Sequence, residues 1–283
     1  MSVLYHYYSE NMILRINIGV EEIDKLYIHE EIVEEILGKL VKAFSKTSLQ
    51  MHPIIVDENT NVILDGMHRW SALKNLGYKY IVCAFIDYHN PLIKVKNWYR
   101  IYQSISSGKI LNIKSLLKSF DIVYSEEKPD FSDKRLVSAI YVKGRYMKIY
   151  SNKPMSSPNA YKVVSFIDEY VLKSGGRIKY VPSGQRDWNE EIVLVTPSIS
   201  KNDVIRSALS RNIYPPKSTR HIIPIRPLYL NIPLKFLSKN FRGNKRLRNK
   251  FLNKFLYHKD VYSVLGKTYI DRFYEEDYLY LYF

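Results

Sequence analysis

Apolar positions along the first hundred residues fall into short blocks separated by polar turns, with two stretches of helical spacing between them. Met12, Ile13, Leu14, Ile16 and Ile18 predict a leading strand within residues 1–18, and residues 21–29 read as a second strand. Ile32, Ile36, Leu40, Val41 and Phe44 recur at the spacing of a one-faced helix, predicted over residues 30–44. The apolar runs 53–56 and 62–65 flank an Asp- and Asn-containing segment and predict a hairpin. A helix follows directly, with Trp70, Leu73 and Leu76 on its apolar face and Gly77 as its C-terminal cap. Residues 80–87 predict another strand.

From about Lys109 the pattern changes. A helix is predicted over 111–120, then strands at 121–124, 137–142 and 146–150, a helix over 159–173 ended by Gly175 and Gly176, and a strand at 177–181. Residues 181–189 are polar and read as a loop. A strand at 191–195 and a helix at 201–211, with Asn202 and Asp203 offering its N-terminal cap, complete the alternation. The expected class is mixed, α+β or α/β, in two lobes, and 283 residues can bury a substantial core.

Charge narrows the partners. Lys and Arg exceed Asp and Glu by 43 to 28, a formal net charge of +15 that suits a polyanion such as nucleic acid or a nucleotide. The single cysteine, Cys83, lies in an apolar run and is expected in the core, which excludes disulfides within the chain and suits a reducing compartment. No apolar run reaches transmembrane length and no signal-peptide core is visible, so a cytoplasmic protein without a membrane partner is expected. Abundant Lys, Glu, Ile and Tyr with few glycines lean towards a thermophile.

Four stretches carry candidate chemistry. In the first, strand 62–64 runs into Asp65-Gly66 and then a helix beginning Met67-His68-Arg69. Such a junction turns the positive end of a helix dipole towards whatever lies above the strand end, which favours an anion there. A carboxylate at the strand end, a glycine and two donor side chains describe a phosphate site, with Asp65 as a possible metal ligand; a plain structural turn is the alternative. In the second, Glu30 and Glu31 open a predicted helix, either as acids welcomed by its dipole or with one of them serving as a base. In the third, Asp87-Tyr88 is followed by Lys94-Val95 and Trp98-Tyr99, and by residue type alone Trp98 reads as a core aromatic. In the fourth, Pro215 and Pro216 stiffen the approach to Lys217, Ser218, Thr219, Arg220 and His221, five consecutive donors that form either solvated surface or an anion-cradling loop.

Asp-Gly-Met-His-Arg-Trp at 65–70 resembles the Gly-x-His-Arg box of the ParB/sulfiredoxin superfamily, and most resembles the free serine kinases of archaea, which carry Asp-Gly-His-His-Arg-Trp. The segments at 27–31, 87–99 and 214–224 match the same kinases at similar spacing, so the resemblance spans roughly residues 20–238. It implies a ParB/sulfiredoxin-like mixed-sheet core, at 1–105, that binds nucleotide and serine. It also implies a second α/β lobe at 106–213, a phosphate-binding return segment at 214–238 and a basic C-terminal extension at 239–283. The implied activity is transfer of a phosphoryl group from ATP or ADP to free L-serine, feeding cysteine or serine metabolism, with Mg²⁺. Glu30 is then the base, and Asp65 holds the metal. Asp65, Gly66, His68, Arg69, Lys217, Ser218, Thr219, Arg220 and His221 bind nucleotide phosphate, while Trp98, with His68 or Arg69, binds serine. Met67 departs from the family pattern by replacing the first histidine of its box.

A ParB-like DNA-binding protein is the alternative; the charge suits it, but an α/β alternation follows the box where such proteins have a helix-turn-helix. Sulfiredoxin chemistry needs a cysteine where Met67 stands, and a nuclease needs more carboxylates near Asp65. Residues 239–259 hold eight Lys or Arg and no acid, interleaved with Phe and Leu, which predicts a basic amphipathic helix packed on the body or facing a polyanion.

Overall fold

A computed structural model describes residues 3–9, 11–183, 192–271 and 273–283. The chain forms two compact units, Met1–Lys94 with His221–Phe283, and Val95–Arg220.

The first unit opens with β1 (Val3–Ser9) and β2 (Met12–Glu22), antiparallel and in register from Val3 opposite Ile18 to Ser9 opposite Met12. The leading segment is thus a hairpin rather than one strand. The strand expected at 21–29 is the end of β2 and a 3₁₀ turn, Ile23–Lys25. α1 (Glu34–Thr47) follows, then β3 (Leu49–Gln50), β4 (Ile54–Asp57), β5 (Ile63–Asp65), α2 (Met67–Asn75) and β6 (Tyr80–Ile86). The strands order as β1-β2-β6-β4-β5, with β4 parallel to β6 and the other neighbours antiparallel. Residues 81–84 and 54–56 are almost wholly buried in this sheet, including the unpaired Cys83. α2 ends as predicted: the Gly77 N–H donates to Lys74 O at 3.0 Å and the Tyr78 N–H to Leu73 O at 3.0 Å, with Gly77 at φ +75°.

The second unit holds β7 (Lys94–Gln103), α3 (Ser107–Leu111), β8 (Phe120–Ser125), β9 (Leu136–Val142), β10 (Arg145–Ser151), α4 (Ser157–Lys173), β11 (Arg177–Pro182), β12 (Ile192–Val195) and α5 (Lys201–Leu209). Its strands run β11-β7-β12-β9-β10-β8. α4 buries Val164, Ile167 and Val171 in a core shared with Ile140, Met147 and Leu194. Because β7 pairs with both β11 and β12, this unit begins at Val95 rather than near 106, and it runs to Arg220 rather than 213. The helix expected over 111–120 starts earlier, where the Ser106 hydroxyl accepts the Lys109 N–H; it tightens into a 3₁₀ turn at Asn112–Ser115, and Phe120 already belongs to β8. α5 is capped by Ser200 rather than Asn202, with Asp203 closing a capping box. Of the loop expected at 181–189 and the strand expected from 191, residues 184–191 lie outside the described residues.

β13 (Thr219–Ile222) leads back to the first unit, followed by β14 (Ile225–Leu228), β15 (Ile232–Pro233), α6 (Lys245–Tyr257), β16 (Val261–Leu265), β17 (Thr268–Tyr269), β18 (Phe273–Tyr274) and β19 (Tyr278–Tyr282). The basic helix α6 packs on β2 and buries Leu252 and Leu256. Its Asn249 accepts the Val20 N–H at 2.9 Å, and Lys245 pairs with Glu21. β19 lies between β14, to which it is parallel, and β16, to which it is antiparallel. Residues 239–283 are therefore part of the first unit's body.

Candidate active site

In the first unit, β5 delivers Asp65 to a sharp turn at Gly66, whose φ of +95° is a left-handed conformation that L side chains rarely adopt. A Cβ there would lie 2.6 Å from Ile54 Cγ2 and 2.7 Å from Arg69 Nη2, so the group approaching this glycine is the Arg69 guanidinium. Arg69 donates from Nη1 to Pro53 O at 3.0 Å and from Nη2 to Asp65 Oδ2 at 2.9 Å. The same Asp65 oxygen accepts from Arg226 Nη1 on β14, and Arg226 Nε donates to Glu276. Arg226 and Glu276 are both buried. Burial disfavours the Arg226 charge, but the two carboxylates more than offset this and hold the guanidinium protonated.

Glu30 is buried at 9% exposure, while Glu31 is exposed. Both precede α1, which begins at Glu34, instead of lying in its first turn. No side chain of the N-cap Val33 caps α1; the Val33 N–H donates instead to Nε2 of His68 at 3.0 Å, which ties the segment after Glu30 to the first turn of α2. His29 is fully buried and donates from Nδ1 to Ile63 O at 2.8 Å. Its ring meets His221 edge-on at 5.2 Å between centroids, and His221 Nε2 lies 2.7 Å from the Tyr88 hydroxyl. Tyr88 is fixed by buried Asp57, whose Oδ1 accepts the Tyr88 N–H at 3.0 Å while Oδ2 accepts from Thr60. One unit thus gathers Glu30, Asp65, Gly66, His68, Arg69 and His221.

The other predicted residues lie in the second unit. Trp98 on β7 donates from Nε1 to Thr219 O at 3.1 Å, and the Arg220 guanidinium sits 5.4 Å from the centre of its ring. Lys217 is exposed and left-handed at φ +61°, a strain that concentrates at functional positions. The fully buried Ser218 donates its hydroxyl to Pro215 O at 2.7 Å, so it shapes the turn rather than offering a donor outward. Arg100 holds the loop from below, donating from Nη1 to Trp98 O at 2.6 Å and from Nη2 to Lys217 O at 3.3 Å. Its Nε pairs with Asp168 on α4 at 3.2 Å, and Asp168 also accepts from Tyr102 at 2.7 Å.

No family model matches the chain. Over 232 residues, 75% of this chain and 88% of the relative, it is 30% identical to the ATP-dependent L-serine kinase of Staphylothermus marinus. The chain belongs to the ATP/ADP-dependent L-serine kinase family. The ADP-dependent L-serine kinase of Thermococcus kodakarensis is 23% identical over 228 residues, 76% of this chain and 91% of the relative. A solved free serine kinase in complex with AMP matches with a TM-score of 0.64 at 22% identity, covering 78% of this chain and 93% of that one, and so shares the fold.

Within this member of the serine kinase family, Arg100, Tyr88, Arg226 and Glu276 hold the predicted residues in place. Tyr88 lies within the matching segment 87–99 and Arg100 directly follows it, whereas no local signal in the sequence marks Arg226 or Glu276.

Proposed function

We propose that this protein transfers a phosphoryl group from an adenine nucleotide to the hydroxyl of free L-serine, giving O-phospho-L-serine. The observation that carries the reading is the 30% identity to an L-serine kinase across most of both chains. Phosphoryl transfer asks a protein mainly to position reactants and to offset charge on the moving group. The positive end of the α2 dipole at Gly66 and the donors Lys217, Thr219, Arg220 and His221 are the groups assigned to phosphate. Arg69 contributes as the brace of that turn, since both its terminal nitrogens already hold Pro53 and Asp65. His68, whose Nε2 accepts from the Val33 N–H, is assigned to the same phosphate end of the site. Trp98 is assigned to the wall of the serine pocket. Glu30 takes the serine hydroxyl proton late in the transfer, because a hydroxyl is a far weaker acid than any carboxylic acid.

Magnesium, which the resemblance implies, does not fit Asp65 as its protein ligand. One oxygen of that carboxylate accepts from two guanidinium groups, whose positive charges already offset its own. Asp65 is therefore assigned to the arginine brace. The test is incubation of purified protein, Mg²⁺ and free serine with ATP or with ADP, measuring both phosphoserine and the released nucleotide. Phosphoserine formation with one donor supports the reading, and none with either defeats it.

A further inference from the structure

The resemblance to serine kinases ends near residue 238, yet Glu276 reaches back from beyond that point to Arg226, and Arg226 to Asp65. Four charges then alternate in a row: Arg69, Asp65, Arg226 and Glu276. We propose that Glu276 is a positioning residue of the phosphate-binding turn, acting through Arg226 and Asp65, so that residues beyond 238 complete the site. The inference rests on the assignment of the Asp65–Arg69 turn to nucleotide phosphate.

The fold fixes Glu276 independently of its side chain. The Asp277 and Tyr278 N–H groups both donate to Pro224 O, at 2.7 and 3.1 Å, two residues before Arg226. Gly266 closes the other side: its N–H donates to Asp277 O at 2.8 Å, and a Cβ on it would fall 1.6 Å from Glu276 O. β19 then pairs with β14 with Leu279 opposite Arg226. Without Glu276, the turn would hold two guanidinium groups on one carboxylate, and Arg226 would have lost its anchor at Nε. Arg226 is then free to draw Asp65 away from Arg69, and Arg69 is the group packed against Gly66.

The sign of the effect separates positioning from mere field. Removing a negative charge near a phosphate site strengthens anion binding if Glu276 acts only through space, and weakens it if Glu276 holds the turn in shape. The experiment is Glu276→Gln in the full chain, read by ADP titration and by ¹⁵N NMR of the arginine side chains. Glu21→Gln is the control, because it breaks another ion pair to residues beyond 238, on a strand separated from β5 by β6 and β4. We expect Glu276→Gln to weaken ADP binding by about tenfold or more, the scale of one charge-assisted contact, and to shift the Arg69 resonance as well as that of Arg226. Glu276→Asp should recover part of the affinity, and Glu21→Gln should lower thermal stability with ADP affinity kept. Tighter ADP binding, unchanged ADP binding, or an unmoved Arg69 resonance in Glu276→Gln overturns the proposal. If the parent binds neither ADP nor ATP, the nucleotide assignment fails, and the Arg69 resonance alone decides whether Glu276 positions the turn.

Discussion

His29 places a pH limit on the first unit. Burial pushes its imidazole below the usual value, while the Glu30 carboxylate and the Ile63 carbonyl pull in the opposite direction. The folded state therefore binds a proton less readily than the unfolded chain, so stability rises with pH across the gap and falls as pH drops below about 6.5. Each unit of pKa difference corresponds to about 1.4 kcal/mol. Thermal melting of the parent between pH 7.5 and 5 should decline more steeply than that of His29→Gln; equal slopes would show that His29 charges without penalty. Residues of this kind mark what could be read early. Glu30, His68, Arg69, Trp98 and the 217–221 run were all legible as chemistry-bearing residue types, but not what holds them. Arg226 lies 161 residues from Asp65 and 50 from Glu276, and no local pattern encodes pairs that distant.

At the scale of elements, the strand-turn-helix at Gly66 is the most constrained junction of the first unit. Gly66→Ala would demand a left-handed alanine, costing about 1–2 kcal/mol, and would press a methyl group into buried Ile54 and into Arg69, where overpacking costs about 1–3 kcal/mol more. We expect a folded but destabilised protein whose nucleotide affinity falls with its stability. Parental melting temperature and affinity would show that the turn tolerates a side chain. The helices themselves illustrate which boundaries a sequence reveals. α2 announced its end, because Gly77 supplies the left-handed residue that its closing hydrogen bonds require. α1 did not announce its start: Glu30 and Glu31 look like first-turn acids, but the hydrogen bond that fixes the start comes from His68, 35 residues away. α5 lies where its pattern predicts and uses Asp203 in its cap as expected, but the N-cap itself is Ser200: Ser200 and Asn202 are both good caps by type, and only Ser200 sits three residues before Asp203 to close the box.

At the scale of the molecule, the segment beyond 238 takes the packed alternative that its interleaved Phe and Leu offered, rather than the arm facing a polyanion. In the structure, β19 pairs along β14, Tyr274, Leu279 and Tyr282 are buried, and α6 covers β2. Truncation after Ser238 should therefore expose these apolar faces and yield aggregated or unfolded protein, checked by circular dichroism and size-exclusion chromatography. A monodisperse, cooperatively melting truncated chain would contradict that. The kinase assignment and its proposed base meet in one measurement, the turnover of Glu30→Gln with free serine, alongside its nucleotide affinity. Gln keeps the size of the side chain and most of its hydrogen bonding but cannot take the serine proton, so turnover should fall by about 10² to 10⁴ while nucleotide binding stays near that of the parent. Glu31→Gln, at an exposed neighbouring position, should leave turnover almost unchanged. Near-parental turnover in Glu30→Gln, or a larger loss in Glu31→Gln, would contradict the account.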